Sequence, residues 1–347
     1  MNDPWGVVAE PQRAAAQDAV SAAFGPAAVE GVRPLGGGNS ATNFRIDVAG
    51  RAYALRLEAD HGGIRDPART YPCLEAASAA GIAPAVRHLD RARGVAILDF
   101  HAPVPLSDYP GGLRALTAEL GRMVAQLQAL SPFPAFGRFP DLVRAMFDYV
   151  RGSTLFAPGL LDRHAEAFEE AAVVYPWSAE PRVASHNDIN AFNLIFDGVR
   201  LWLIDWETAF RNDPFADLAG IVGETLLRMT DEPAVIAELE DVLLSAYVGR
   251  TPDQRERDRL ALMKPLVRIY QACLLLTQFP ERPPPGAPFA DLTAMTRAEF
   301  RAARDDGRLR LKTPELTLAY ARILLADFMG LLAAPETKAA WARLATG

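Results

Sequence analysis

The chain of 347 residues is half hydrophobic and 23% charged, a composition that predicts a soluble globular protein of two domains or one large one. Its net charge is −7 and it has no run rich in Lys and Arg. This charge argues against nucleic acid or an anionic membrane as the main partner. Two cysteines are too few for a disulfide framework or a thiolate zinc site.

Two stretches bear on the location of the protein. The first 17 residues do not combine a basic segment with an apolar core, so no secretory signal is predicted and a cytoplasmic location is expected. Residues 316–334 are almost long enough to span a bilayer, but Arg322 and Asp327 lie near their middle. These charges favour a core helix of a soluble domain, and we expect no membrane partner. The sequence does not indicate the oligomeric state.

The first hundred residues predict a leading helix and a small five-stranded sheet. The Ala-rich residues 11–24 have apolar side chains at helical spacing. Residues 44–48 and 52–57 alternate as strands do around a turn at Gly50, and residues 86–90 and 94–98 predict two further strands.

A glycine-rich turn precedes this alternating segment, at Gly36 to Ser40. Such a turn can place backbone N–H groups over phosphates, because glycine lets the chain approach a ligand closely. Any tight hairpin could use the same glycines. A phosphate-binding role therefore depends on what the rest of the chain contains.

The pattern becomes helical after a proline-rich step at residues 102–105. We place a boundary there, between an N-terminal lobe, residues 1–102, and a C-terminal lobe, residues 103–347. Predicted helices cover residues 113–130, 141–150, 164–175, 215–229, 234–248, 255–278 and 314–332, and a proline-rich loop covers residues 279–288.

One hairpin interrupts the helical lobe. Two short apolar runs flank Asp197-Gly198, and an Asp-Gly pair in that setting predicts a two-residue β-turn. In that register Phe196 faces Val199 and Asn190 faces Asp205. Asp205 then returns beside the polar loop of residues 186–193.

This loop has the spacing of a kinase catalytic loop, His-x-Asp-x-x-x-x-Asn, followed by a hairpin that ends in Asp. In that interpretation Asp188 takes the proton of the acceptor hydroxyl, and Asn193 and Asp205 hold Mg²⁺, which prefers oxygen ligands. His186 is expected to hold the loop rather than act as base. The alternative is a polar turn whose Asp and Asn cap backbone groups. All parts in order favour the functional interpretation.

Two segments of the chain resemble a known family. SHNDINAFNLIF, which begins at Ser185, and LIDWETAFRNDPFADLA, which begins at Leu203, resemble the aminoglycoside phosphotransferase and choline kinase superfamily, small-molecule relatives of protein kinases. The resemblance is strong over residues 183–219, moderate over 33–101 and weak elsewhere. Asn187 and residues 212–219 favour the choline/ethanolamine kinase-like branch.

The resemblance implies an α+β, two-lobed, protein-kinase-like fold with a small β-rich N-lobe and a large, mostly helical C-lobe. It implies ATP and Mg²⁺ as cofactors and a small-molecule hydroxyl as acceptor. The nucleotide-binding residues that it implies are Gly37, Gly38, Asn39 and Ser40 in the glycine-rich turn, Arg56 at the position of the phosphate-binding Lys of protein kinases, and Asp99 and His101 at the hinge.

The chain departs from the family at the partner of Arg56. Relatives place a helix Glu roughly three turns before a Gly-Ile-x-Pro step, which here begins at Gly81. Counting back reaches Thr70 rather than an acid. Glu75 is the only nearby helical candidate, so Arg56 pairs either with Glu75 or with no helix acid.

Three residues are candidate acceptor contacts: Glu207, Glu224 and Tyr270. Choline kinases hold a quaternary ammonium against aromatic faces, and a late helix there usually contains Trp. The comparable helix here contains Tyr270 but no Trp. We therefore expect an amino alcohol, sugar or aminoglycoside-like acceptor, with choline a poor one.

The predicted function is ATP- and Mg²⁺-dependent phosphoryl transfer to a small-molecule hydroxyl. The absent helix Glu keeps open a degenerate kinase fold that binds nucleotide or ligand without turnover. A metal-dependent hydrolase using His186, Asp188 and Asp205 would lack the further His ligands that such sites recruit.

Overall fold

The computed structural model describes residues 3–26, 28–36, 41–58, 62–63, 66–178 and 181–346. Their contacts divide the chain into two compact units. The first unit comprises Met1–Phe136 and Val183–Arg211, and the second comprises Gly137–Arg182 and Asn212–Gly347. The boundary near residue 102 stays a prediction about the lobes.

An antiparallel sheet of five strands forms the centre of the first unit, in the spatial order β1-β2-β3-β5-β4. The predicted number of five strands is confirmed; β2 to β5 coincide with the four segments predicted as strands, and β1 precedes the glycine-rich turn. Alternate side chains of β2 and β3, such as Ile46 and Leu55, are fully buried because successive residues of a strand point to opposite faces. The strands are β1 Val29–Pro34, β2 Ala41–Val48, β3 Arg51–Glu58, β4 Val86–Asp90 and β5 Val95–Asp99.

Among the described residues, three α-helices belong to the first unit: α1 Glu10–Phe24, α2 Pro67–Ala79 and α3 Gly112–Gln128. Ala16, Ala19 and Val20 of α1 are buried in one hydrophobic cluster with residues of the sheet. Helix α2 begins where the Asp66 carboxylate accepts the backbone N–H of Ala68 at 2.9 Å, an ordinary N-cap. Helix α3 corresponds to the helix predicted at residues 113–130.

The two-residue turn predicted for the hairpin is wrong. Strands β7 (Leu194–Phe196) and β8 (Leu201–Leu203) pair so that Phe196 faces Leu201, which leaves a four-residue connection. The Asp197 carboxylate accepts the backbone N–H groups of Val199 and Arg200 at 2.9 Å each, and this caps a longer turn than the Asp-Gly pair alone predicts. Two flanking short strands, β6 (Val183–Ser185) and β9 (Phe210–Asn212), pair with each other.

The second unit is helical, and every helix predicted there is present. A π-helical turn, Ile221–Leu226, interrupts the helix predicted at 215–229. Helices near residues 300 and 340 were not predicted. The helices are α4 Phe139–Arg151, α5 Asp162–Val174, α6 Ala216–Gly220, α7 Leu227–Met229, α8 Pro233–Val248, α9 Gln254–Leu276, α10 Arg297–Asp305, α11 Pro314–Ala333 and α12 Pro335–Leu344.

Helix α9 is the main core helix of this unit, and α11 packs along it. Within the part of the chain that the structure describes, α11 is the one helix whose length and composition would allow it to cross a membrane. A core helix of a soluble protein meets the same two criteria. Ile323, Leu324 and Phe328 of α11 are buried in the protein, whereas Asp327 pairs with Arg297.

Candidate active site

The carboxylate of Asp188, the predicted base, is held by two amides of its own loop. Asn190 Nδ2 donates to Asp188 Oδ1 and Asn193 Nδ2 donates to Asp188 Oδ2, each at 2.9 Å. Asn193 Nδ2 also donates to the Asp188 carbonyl at 2.9 Å. These bonds fix the orientation of a half-buried carboxylate and commit the Asn193 amide nitrogen to Asp188, so that the Asn193 oxygen is the atom available as a metal ligand.

His186 lies beneath this loop and is fully buried. Its Nε2 lies 3.0 Å from the carbonyl oxygen of Ile204, and its ring meets Trp206 edge-on at 4.8 Å between centroids. Burial lowers the pKa of His186 to about 4, so the ring is neutral at physiological pH. The side chain of Thr208 donates to the His186 carbonyl at 2.9 Å. These contacts tie the catalytic loop to the segment after the hairpin.

Asp205 follows the hairpin and adopts a left-handed backbone conformation, with φ 67° and ψ 65°. Such a conformation is strained for a residue other than Gly and is concentrated at functional sites. The backbone N–H of Ile204 donates to the Asn193 carbonyl at 2.9 Å. The corrected register therefore still places Asp205 beside the loop that contains Asp188 and Asn193.

The oxygen atoms of this site suit a hard cation. Asp205 Oδ1 is buried and accepts no hydrogen bond from the residues that the structure describes, although Arg56 Nη1 lies 3.0 Å from it as an ion-pair partner. An ionised oxygen in that position and the Asn193 amide oxygen are ligands of the kind that Mg²⁺ uses, two protein groups completed by phosphates and water. Among the described residues, no group of three or more His, Cys, Asp or Glu side chains could hold a metal without such help.

Arg56 extends from β3 as predicted, and its partners are carboxylates that were not predicted. Its Nε donates to Glu58 Oε1 at 2.7 Å, and its Nη2 donates to Glu207 Oε2 at 3.1 Å. Burial lowers the pKa of Arg56, but Asp205, Glu58 and Glu207 together raise it above its usual value. The guanidinium is therefore charged and held in one orientation.

Glu75 is not the partner of Arg56. Its carboxylate pairs with Arg91, and both side chains are about half exposed. The helix that contains Glu75 instead contacts the segment after Asp205 through another residue. Arg69 Nη2 donates to the Glu207 carbonyl at 2.8 Å, and Arg69 Nη1 donates to the Ala209 carbonyl.

The hinge candidates Asp99 and His101 both have side chains engaged within the first unit. Arg87 forms a bidentate pair with Asp99, with both N–O distances 2.6 Å. The His101 ring stacks on Trp202 at 4.2 Å, and its Nδ1 lies 3.1 Å from Asp197 Oδ2. A nucleotide role for this segment would therefore fall to its backbone.

The other nucleotide-binding candidates, Gly37, Gly38, Asn39 and Ser40, lie outside the described residues. The chain on either side of them is described. Pro34 is paired with Phe44, and the Leu35 N–H donates to the Asn43 carbonyl at 2.8 Å. Strands β1 and β2 therefore form a hairpin whose connection contains these four residues.

Two acceptor candidates belong to the second unit. Glu224, in the π-helical turn, accepts from Arg268 Nη1 at 2.5 Å and from the hydroxyl of Tyr320. Gly223 makes room for this pair, because a Cβ there would lie 1.4 Å from Arg268 Nη2. Tyr270 is buried, and its ring lies 5.2 Å from that of Phe139. The carboxylate of Glu224, a candidate acceptor contact, thus faces an internal guanidinium.

Glu58 and Arg69 are the site residues that the sequence reasoning missed. A signal was present for Glu58: it stands two positions after Arg56 in an alternating strand, so the two side chains share one face. No comparable local signal marks Arg69, because its acceptors are backbone carbonyls about 140 residues later in the chain.

Comparison with known proteins decides the family. The model of the phosphotransferase enzyme family matches residues 31–263, two thirds of the chain. The chain belongs to this phosphotransferase family. The matched residues include both predicted functional segments, the one with Arg56 and the one with Asp188 to Asp205. The family resemblance that the sequence indicates is thereby confirmed.

Solved structures of this family have the same fold. A choline/ethanolamine kinase family protein from Mesorhizobium loti is 22% identical, with a TM-score of 0.65, covering 96% of this chain and 99% of that one. Choline kinase LicA from Streptococcus pneumoniae is 15% identical, with a TM-score of 0.63 and coverages of 94% and 99%. An aminoglycoside phosphotransferase, a thermostable mutant in ternary complex with ADP and hygromycin B, is 18% identical, with a TM-score of 0.56 and coverages of 91% and 98%.

These similarities confirm the predicted kinase-like α+β fold of the phosphotransferase family. At such identities they show the fold and not the substrate. A search of curated proteins found no significant match.

Proposed function

We propose that this family member transfers the γ-phosphoryl group of ATP to a hydroxyl of a small molecule, in the cytoplasm, with Mg²⁺ bound. The observation that carries the proposal is the arrangement around Asp188. One carboxylate is oriented by two amides, and the hairpin places a second carboxylate, Asp205, beside the same loop. A kinase needs this pair of functions, one acid to orient the nucleophile and one to hold the metal.

Asp188 is the proposed base. As the acceptor oxygen forms its bond to the γ-phosphorus, its proton passes to a carboxylate oxygen of Asp188, and the bond from phosphorus to the β-phosphate oxygen breaks, releasing ADP. The amides of Asn190 and Asn193 keep both carboxylate oxygens from rotating, so the base is pre-oriented. His186 is buried and bonded to the backbone, which supports a structural role.

Asn193 and Asp205 are the proposed metal ligands. A bound Mg²⁺ would neutralise charge on the phosphate oxygens. The fixed amide of Asn193 and the strained backbone of Asp205 hold the two ligands in place before the nucleotide arrives. Arg56 would add a guanidinium to the phosphate-binding groups, as a planar donor suited to phosphate oxygens.

The acceptor is proposed to be a small hydroxylated molecule. The internal pairing of Glu224 bears on whether this carboxylate can bind a cationic group of that molecule. A carboxylate that already accepts from Arg268 and Tyr320 gains less from a quaternary ammonium than an unpaired carboxylate would. This argues against Glu224 as the group that recognises a cationic acceptor. The helix that contains Tyr270 has no Trp to hold a quaternary ammonium, and this supports a sugar, amino alcohol or aminoglycoside-like acceptor over choline.

The test is a nucleotide-consumption screen across amino alcohols, sugars and aminoglycosides, with and without Mg²⁺ and with Asp188→Asn as the blank. We expect at least one acceptor to be phosphorylated in a Mg²⁺-dependent manner by the wild type only. If the wild type binds ATP but does not consume it in the presence of any of these acceptors, the proposal is wrong and the protein is a nucleotide-binding member of its family.

A further inference from the structure

We propose that Glu58 is the positioning residue of Arg56, replacing the helix acid that the chain lacks with an acid from the same strand. This inference rests on the proposed function, because it assigns Arg56 to the nucleotide phosphates. Everything that carries it lies within the first unit.

The geometry of the pair follows from the strand. Residues two apart in a β-strand point to the same face, so Glu58 stands beside Arg56 without any contribution from a helix. Arg56 Nε donates to Glu58 Oε1 at 2.7 Å, and Arg56 Nη2 lies 3.4 Å from Glu58 Oε2. The contact is a side-on pair, in which Nε and Nη2 of the guanidinium both face the carboxylate. A two-point contact of this kind fixes the orientation of the guanidinium.

Glu58 is built into the fold. Only 6% of the residue is exposed, and a buried carboxylate is tolerated when it is paired. Its backbone is held on both sides: its N–H donates to the Gly94 carbonyl at 2.9 Å, and Gln12 Nε2 donates to its carbonyl at 3.3 Å. These two bonds hold the backbone at the end of β3, so Glu58 presents its carboxylate to Arg56 from a fixed backbone position.

Helix α2 offers no acid to the same region. Its one acidic residue, Glu75, pairs with Arg91 near the surface. Tyr71 of α2 interacts with both Glu58 and Arg56, and within the described part of the chain its buried hydroxyl has no hydrogen-bond partner. Burial first, and then the nearby Glu58 carboxylate, raise the pKa of Tyr71 above its usual value.

Glu58 also matters because of what a metal would do to Asp205. The Arg56 guanidinium contacts three carboxylates, those of Glu58, Asp205 and Glu207. When Asp205 serves as a metal ligand, its oxygen is shared with a cation and its hold on Arg56 weakens. Glu58 then keeps the guanidinium aligned. The pairing thus separates the positioning of Arg56 from the metal-binding task of Asp205.

A double-mutant cycle on nucleotide binding tests the inference. The variants are Glu58→Gln, Arg56→Met and the two combined, with Glu75→Gln as the matched control, and the measurement is the Kd of Mg²⁺·ATP by calorimetry together with KM and kcat. We expect Glu58→Gln to weaken ATP binding about tenfold or more, and to add almost nothing in the Arg56→Met background, since it acts through that residue. Glu75→Gln should stay within about twofold of the wild type.

The outcomes separate this inference from the proposed function. Additive effects of the two substitutions, or an unchanged Kd in Glu58→Gln, would overturn the positioning role even if the enzyme is active. A wild type that binds Mg²⁺·ATP without phosphorylating any acceptor would refute the function alone, because the cycle is measured on binding. If Glu58→Gln does not fold, Glu58→Asp, which retains the charge but withdraws the carboxylate by one methylene, must weaken binding in the same non-additive way.

Discussion

Replacing Asp188 by Asn tests the role of the proposed base in turnover separately from its role in stability. The substitution keeps the size of the side chain and removes its ability to take a proton from a hydroxyl. Loss of a general base lowers turnover by about two to four orders of magnitude. We therefore expect kcat to fall at least a hundredfold or so, with ATP affinity nearly unchanged, because Asp188 is not among the proposed phosphate or metal ligands.

The structural cost of the same substitution can be worked out from its hydrogen bonds. Each Asp188 oxygen accepts one amide N–H, from Asn190 and from Asn193, at 2.9 Å. An asparagine side chain offers one oxygen and one NH₂ group, so one of the two neighbouring donors loses its acceptor and faces another donor. An unsatisfied group of this kind costs about 1–3 kcal/mol, and the half-buried position of Asp188 favours the lower end.

Asp90→Asn is the matched control. Asp90 is the last residue of β4, and 17% of its side chain is exposed; its Oδ1 accepts from two backbone N–H groups of the following turn at 3.0 and 3.1 Å, and its Oδ2 accepts from Arg93 Nε at 2.6 Å. Substitution by Asn here also replaces one of the two acceptor oxygens by an NH₂ group. Both variants should unfold at lower denaturant than the wild type, but only Asp188→Asn should lose turnover per folded molecule. Turnover of Asp188→Asn within about tenfold of the wild type would refute the assignment of the base.

Three further results are expected. Asp205→Ala should abolish the Mg²⁺-dependent part of ATP affinity, measured with Mg²⁺ and with chelator, and an unchanged Mg²⁺ contribution would remove Asp205 from the ligand set. Burial would raise the pKa of Asp197, but the bonds from Trp202 and the turn backbone lower it from 3.8 to about 2. The stability that Asp197 supplies is thus full above 3.8 and lost as pH falls towards about 2; unfolding free energies between pH 6 and 2 should show this loss in the wild type and not in Asp197→Asn. Choline should have a lower kcat/KM than the best amino alcohol, sugar or aminoglycoside, and choline as the best acceptor would contradict the reasoning from the absence of Trp in α9.

Local patterns were sufficient to predict the sheet and the catalytic loop. The alternation around Arg56 is set by burial of one face of β3, and such alternation depends only on neighbours in sequence. The loop from His186 to Asn193 could be predicted because its residue types and spacing are dictated by chemistry at one end of a single hairpin. In both cases the relevant contacts join residues a few positions apart.

The hairpin register and the partners of Arg56 could not be predicted, because specific side-chain contacts determine both. The Asp197 carboxylate, through its bonds to the following backbone and to Trp202 Nε1 at 2.7 Å, stabilises a four-residue connection where Asp-Gly alone predicts two. Glu207 reaches Arg56 across 151 positions. Neither interaction leaves a periodic trace in the sequence.

Pairing inside the fold determines which charged residues can serve a ligand. Glu224 and Asp205 are both carboxylates that the sequence offered to a cation, and both contact an arginine. In the second unit, Arg268 is almost wholly buried against Gly223 and donates to Glu224 at 2.5 Å, whereas its second acidic neighbour, Asp327, lies 4.0 Å away and also pairs with Arg297. Drawing Glu224 away to a ligand would leave this buried guanidinium without its close counter-charge, which costs on the order of several kcal/mol. Arg56 differs, because Glu58 and Glu207 retain it when Asp205 turns to a metal. A carboxylate whose arginine keeps other acidic partners at hydrogen-bond distance can exchange that arginine for Mg²⁺ at little cost, and this is why Asp205, rather than Glu224, is the acid that we assign to a cation.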